Sequence, residues 1–188
     1  NGVTLARHAL LHRSYDERYP EIRNEAVAGE HRYRGPFRLT DTPTELGGAS
    51  VADALLSPTR SYAPVTREIA RALGEDLHGL VHCTGGGQTK ILRFGDGLHF
   101  VKDDLFPTPP LFELVQRHGA VPWREMYQVF NMGHRMECLV SPPRAAEVTA
   151  IAERFGVPAR VVGRVESGGD RNTLTIRAAG GEYEYGND

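Results

Sequence analysis

Cysteine, tryptophan and methionine are scarce in this 188-residue chain, at two, one and three. Two cysteines, Cys83 and Cys138, allow a single pairing and no disulfide framework, so a small secreted fold held by staples is excluded and a reducing cytoplasm is the expected setting. Basic excess is lacking too: 22 Lys and Arg stand against 24 Asp and Glu, for a net charge of −2. A chain so balanced has no charge for tracking a phosphate backbone, so nucleic acid is not expected as a partner, although one small anion needs only a local pocket. No stretch approaches the roughly 20 apolar residues that span a bilayer, so no membrane is expected. No signal peptide is legible, and the chain opens at Asn1 rather than methionine, so a missing N-terminal part is expected.

What is present suits one globular domain over residues 1–188, with 40% hydrophobic and 24% charged residues. Leu5, Ala9 and Leu10–Leu11 predict a first helix. Residues 16–50 read as a charged insert or long loop, broken by Gly35-Pro36, Pro43 and Gly47-Gly48 but carrying aromatics that can pack. Val65, Ile69 and Leu73 make one face of a helix over about 62–74. Short apolar runs at 77–83 and 98–102 predict strands. Helices are expected from Pro109-Pro110 to His118 and over 123–130, a strand over 135–140, and a helix from Ser141-Pro142-Pro143 to Phe155 ended by Gly156. Two further strands, 159–166 and 172–177, read as a hairpin across Ser167-Gly168-Gly169-Asp170, with a short edge strand over 181–185. The mixed order predicts an α+β fold, with helices covering a mainly antiparallel sheet.

Thr84-Gly85-Gly86-Gly87 follows a strand and carries the clearest chemical signal. Three glycines remove every β-carbon from one bend, so backbone N–H groups can turn inward on an anion, and a helix start behind them would add its dipole. A ligand-free tight turn is the plainer reading. The loop is no Walker A motif, because Gln88 and Thr89 separate Gly87 from Lys90, and it is no dinucleotide fingerprint. Arg60, after Pro58-Thr59, could clamp a phosphate or cap a carbonyl. Asn131 could offer a donor and an acceptor to a polar ligand or bond backbone in its turn. His8 and His12 have zinc-like spacing without a third ligand, and Asp103-Asp104 could hold magnesium or sit in a polar turn. His82, Cys83, His134 and Cys138 read better as core residues than as a metal set. No nucleophile elbow is legible.

Taken in order, several segments resemble one family. They are Asn1-Gly2, Leu55-Leu56-Ser57-Pro58-Thr59-Arg60-Ser61-Tyr62, His82-Cys83-Thr84-Gly85-Gly86-Gly87, Pro109-Pro110, Phe130-Asn131-Met132-Gly133 and Gly163-Arg164-Val165. The resemblance is to the C-terminal half of aminoimidazole ribonucleotide synthetases (phosphoribosylformylglycinamidine cyclo-ligases), in a divergent bacterial branch. Gln88-Thr89-Lys90-Ile91-Leu92-Arg93-Phe94 departs from the family's usual Leu-x-Glu-Asn-Leu-Pro-Arg continuation, so no role of that Glu-Asn pair carries over. The resemblance implies a three-layer α/β/α domain of partly ferredoxin-like topology. It implies ATP-dependent cyclisation of formylglycinamidine ribonucleotide to aminoimidazole ribonucleotide, with ATP and Mg²⁺ bound mainly by an N-terminal half absent from this chain. That half would also form a homodimer, and the present chain alone would be inactive. Phosphate or substrate contacts are then expected from Thr84, Gly85, Gly86 and Gly87, with Asn131, Arg60, Thr59 and His82 orienting substrate. Other ATP-using enzymes of the superfamily, or a non-catalytic binding or regulatory module of the same fold, are the alternatives.

Overall fold

The computed structural model describes residues 2–178 and 180–186, so Asn1 of the first family segment lies outside the described residues. The elements run α1 (Val3–Leu10), α2 (Ser14–Arg18), α3 (Val51–Leu56), α4 (Ala63–Leu73), β1 (Leu77–His82), β2 (Leu98–Lys102), α5 (Pro110–Gly119), α6 (Trp123–Val129), β3 (Met136–Val140), α7 (Ala145–Arg154), β4 (Gly163–Ser167), β5 (Thr173–Ala178) and β6 (Gly181–Gly186). Among the described residues no helix is long and apolar enough to cross a membrane.

The strands form two sheets. β1 and β3 pair antiparallel, and the larger sheet has the order β4-β2-β5-β6. The α+β class is as the element order implied, but the expected hairpin is not there. β4 and β5 both pair with β2, which lies between them, antiparallel to β4 and parallel to β5. Burial gives the reason: Phe100 and Val101 of β2 are buried, so β2 takes a central place, while β4 is exposed along most of its length. Backbone approach sets β4 against β2, since a β-carbon on Gly163 would stand 1.8 Å from the Val101 carbonyl oxygen.

Each sheet has its own cover. The Val65, Ile69 and Leu73 face of α4 packs with Ile151 and Ala152 of α7 against Leu77, Cys138 and Val140 of the small sheet. The main core joins α1, α5 and α6 to β2, β5 and β6 through Leu10, Leu114, Val115, Met126, Tyr127, Phe100, Leu174, Ile176 and Tyr185. After the end of α2, residues up to 50 hold short helical turns and an isolated bridge from Phe37 to Leu11, yet Tyr33 is fully buried with Leu11 and Val51 in a third cluster. Ser50 and Asp53 close a reciprocal capping box that starts α3.

Asn172, buried just before β5, ties the large sheet's turns together. Its amide nitrogen donates to the carbonyls of Leu92, Phe94 and Gly95 at 2.8–3.1 Å, and its Oδ1 accepts the Leu98 N–H at 2.9 Å. Asn172→Ala removes four hydrogen bonds to backbone groups and is expected to cost about 2–4 kcal/mol, measured by urea unfolding; a loss under about 0.5 kcal/mol would show the staple to be idle.

His8 supplies a pH dependence. Its Nδ1 accepts the Tyr33 N–H at 3.3 Å, so Nε2 carries the proton, buried without a partner. Burial, then the Arg7 charge, lowers its pKa. The unfolded chain therefore takes up this proton first, and stability falls as pH drops below the ordinary histidine value. His118 shifts the same way, again chiefly by burial. Urea midpoints are expected to fall between pH 7.5 and 5.5, and His8→Gln should reduce that fall; an unchanged slope in the variant would clear His8 of the effect.

Candidate functional site

β1 ends beside the start of β3, with His82 opposite Met136, and the Cys83 N–H donates to the Arg135 carbonyl at 2.8 Å. The glycine loop leaving β1 and the 130–134 turn entering β3 are thereby held at one end of the small sheet. They also touch directly. Gly87, at φ +50°, packs so closely that a β-carbon would stand 2.4 Å from the Phe130 carbonyl oxygen and 2.7 Å from that of Tyr127. Gly87 is thus a packing glycine, and its N–H is spent on the Thr84 carbonyl at 2.8 Å.

The other two glycines differ. Gly85 is exposed with open space where a β-carbon would point, and Gly86 sits at φ +98°. Among the described residues neither their N–H groups nor the Asn131 NH₂ has a protein partner. Lys90 closes the loop from above by donating to the Thr84 hydroxyl at 2.9 Å. Sequence spacing discounted Lys90, because only the tight turn of Gly87–Arg93, a 3₁₀ helix, folds it back over the loop. That helix is seven residues long, so the dipole expected behind the loop is slight.

Asn131 makes the turn that sequence left open: its Oδ1 accepts the Gly133 N–H at 3.0 Å. Met132, next to it, is buried at φ +51°, a strained conformation for a non-glycine residue. The structure therefore gathers Thr84, Gly85, Gly86, Gly87 and Asn131 at one corner, with His82 at its root. Arg60 is committed elsewhere, capping the Gly156 carbonyl at 2.8 Å behind α7, and Thr59 is exposed beside it. Tyr62 links that segment to His82 by an edge contact, ring centres 6.0 Å apart. Arg60, Tyr62, Lys102 and Glu137 are among the linings of a cleft of about 720 Å³, floored mostly by apolar side chains of β2, β3, α4 and α7.

Beneath the corner lies a polar cluster that no motif announced. Glu137 of β3 and Lys102 of β2 are both buried and join the two sheets, Nζ to Oε1 at 2.5 Å. The same Oε1 accepts from His134 Nε2 at 2.7 Å and Cys83 Sγ at 3.2 Å. Burial pushes the Glu137 pKa up, but the Lys102 charge and the His134 hydrogen bond outweigh it and hold it at about 2. Burial and the Glu137 charge push the Cys83 thiol well above its ordinary range, and Cys138 to about 11, so both stay protonated and unreactive. Cys83, His134 and Glu137 place three metal-ligand atoms within 4.8 Å of one another, but the Lys102 ammonium already stands as the cation there. His8 and His12 form no such group: His8 faces Tyr33 and His12 bonds Ser14. Asp103 and Asp104 are paired with Arg164 and Arg160.

The signal for this cluster was available in strand alternation. Phe100 and Lys102 share one face of β2, and Glu137 and Leu139 share one face of β3, so two opposite charges stand on core-facing positions. Removing either partner strands a buried charge. Lys102→Met or Glu137→Met alone is expected to cost about 3–5 kcal/mol in urea unfolding, and the double variant should recover most of it. The pair's contribution is complete above the ordinary glutamate pKa and fades only as pH falls from there toward about 2. Additive losses in the double variant would refute the coupling.

Against known proteins, residues 34–174 match the family described as AIR synthase related protein, C-terminal domain. Relatives named phosphoribosylformylglycinamidine cyclo-ligase include those of Methanopyrus kandleri, 39% identical over 168 residues (89% of this chain, 41% of the relative), and Symbiobacterium thermophilum, 38% identical over 179 residues (91% and 44%). The chain thus spans about two fifths of the length of the curated relatives it matches. Among solved structures, E. coli HypE, a hydrogenase maturation protein, aligns with TM-score 0.47 at 19% identity, covering 68% of this chain and 38% of that one. By the family match, which takes in the glycine loop, the Asn131 turn and the Lys102–Glu137 pair, this chain belongs to the AIR synthase related proteins as their C-terminal domain.

Proposed function

We propose that this chain is the substrate-side part of an ATP-dependent ligase that cyclises formylglycinamidine ribonucleotide to aminoimidazole ribonucleotide, and that its glycine loop holds a phosphate. The observation that carries the reading is the loop itself: among the described residues the Gly85 and Gly86 amides have no protein partner, and the Lys90 ammonium donates to the hydroxyl of Thr84, the residue before them. Backbone amides and an ammonium converging on one point are the chemistry that recognises phosphate oxygens. The names of the relatives point to a cyclo-ligase, and the family resemblance implies the course of its reaction. In it, ATP phosphorylates the formamide oxygen, the amidine nitrogen attacks that carbon, and the ring closes as phosphate leaves.

In this reading the chain's own residues bind and orient. Thr84, Gly85 and Gly86 hold the phosphate with Lys90, the Asn131 NH₂ donates to a polar edge of the substrate, and His82 and Tyr62 wall the corner. Gly87 keeps the loop seated on the 130–134 turn, while Arg60 and Thr59 shape the cleft rather than touch the anion. By the resemblance to the synthetases, Mg²⁺ and ATP would be held mainly by an N-terminal half, which would also bring the homodimer contact, and Asp103 and Asp104 of this chain carry arginine partners instead. The complete enzyme would work in the cytoplasm, and the chain alone would turn over no ATP.

Calorimetric titration of the chain should give binding of formylglycinamidine ribonucleotide and none of ATP with Mg²⁺. Lys90→Met removes a charge-assisted hydrogen bond of about 1.5–3 kcal/mol and is expected to weaken substrate binding at least about tenfold. Gly86→Ala, strained at positive φ, should weaken it as well. Unchanged affinity in both variants would rule out the loop as the phosphate site.

A further inference from the structure

Gln88 immediately follows the loop and is completely buried. Its backbone carbonyl and its Oε1 both accept from the Lys102 Nζ, at 2.8 and 3.0 Å. With Glu137 Oε1 these make three acceptors for the three protons of one ammonium. Once Oε1 is turned to Lys102, the Gln88 Nε2 faces the other way. There it donates to the carbonyl of Asn131 and, at 3.4 Å, to that of His134. One buried ammonium therefore fixes the exit leg of the glycine loop and, through the Gln88 amide, the turn carrying Asn131.

We propose that Lys102, acting through Gln88, is a positioning residue for the anion loop: it holds residues 84–88 and 131–134 in the one arrangement that converges the Gly85 and Gly86 amides and the Asn131 NH₂ on a common ligand. The proposal rests on the loop being the phosphate site. Lys102 touches no ligand, because its three donors are used inside the protein. Lys90 supplies the exposed charge and Lys102 the geometry. An apolar side chain at 102 would pack as well but would leave Gln88 without its acceptor-side anchor, and buried polar networks of this kind are retained where they select one arrangement among several. Glu137 makes the arrangement affordable by cancelling the charge, with Cys83 and His134 donating to the same carboxylate oxygen.

The test compares the full chain with Lys102→Met/Glu137→Met, which strands no charge, and with Gln88→Met, which leaves the ion pair in place. Sulfate is the probe, since its charge is constant over the working pH range. Both variants should stay folded, lose sulfate affinity about tenfold, and exchange the amides of residues 85–88 about tenfold faster while β5 amides are unchanged. The site of the change separates positioning from mere stability, since a loss of stability alone would speed exchange in β5 as well. Wild-type affinity and exchange rates in both the double variant and Gln88→Met would overturn the proposal. If wild type takes no sulfate, the phosphate reading fails separately, and the exchange rates still decide the positioning: faster exchange at 85–88 supports it and unchanged exchange overturns it.

Discussion

Everything distinctive in this domain hangs on one buried ammonium. Lys102 is the last residue of β2, and its Nζ reaches the small sheet through Glu137 and the glycine loop through Gln88. The two sheets share no strand pairing, so the ion pair is a polar connection between them at the level of the site. Such a pair gains little net stability after desolvation, because taking both charges out of water offsets most of their attraction. Its value is directional. A hydrophobic contact would tolerate sliding of one sheet against the other, whereas three hydrogen bonds from one ammonium admit a single position.

The three glycines of the loop are not equivalent. Gly87 must approach the end of α6, and the crowding there leaves no room for a side chain. Gly86 supplies the positive φ that reverses the chain, and Gly85 alone faces open space. The loop is pressed into the domain at its exit and free at its tip. A rigid base under an open tip suits an anion that arrives from solvent or from a neighbouring domain, because the amides are already oriented when it binds.

Much of the scaffold was legible in the sequence. The α4 face, the Pro-Pro start of α5, the Gly156 stop after α7 and the short strands at 77 and 98 follow from periodicity and punctuation. The hairpin expectation failed because adjacency in sequence was read as adjacency in space. The run 159–166 was read as a strand paired with 172–177, but the buried Phe100 and Val101 of β2 claim the place between them. At the site, the loop and the Asn131 turn stood out as motifs. Lys90 was set aside for its spacing, since a P-loop rule assumes a helix where a 3₁₀ turn folds the side chain back. Lys102, Gln88 and Glu137 were missed because each is ordinary in isolation. Only strand parity, with opposite charges on two inward faces, marks them, and that mark needs knowledge of which strands meet.

The sheet order also bears on how the domain comes together in time. Apart from β5 with β6, every strand pairing joins segments far apart in the chain: β1 meets β3 across two helices, and β2 finds both its neighbours only after β3 and α7 have been made. Long closures of this kind are slow, because chain entropy is lost before any contact rewards it. Nascent chain emerging with β1, the glycine loop and β2 holds no site, since Glu137 and Asn131 are still to come and β2 lacks both flanking strands. Lys102 therefore waits as a solvated charge until β3 arrives, and the corner of glycine loop and Asn131 turn is completed in one late event rather than built up piecemeal.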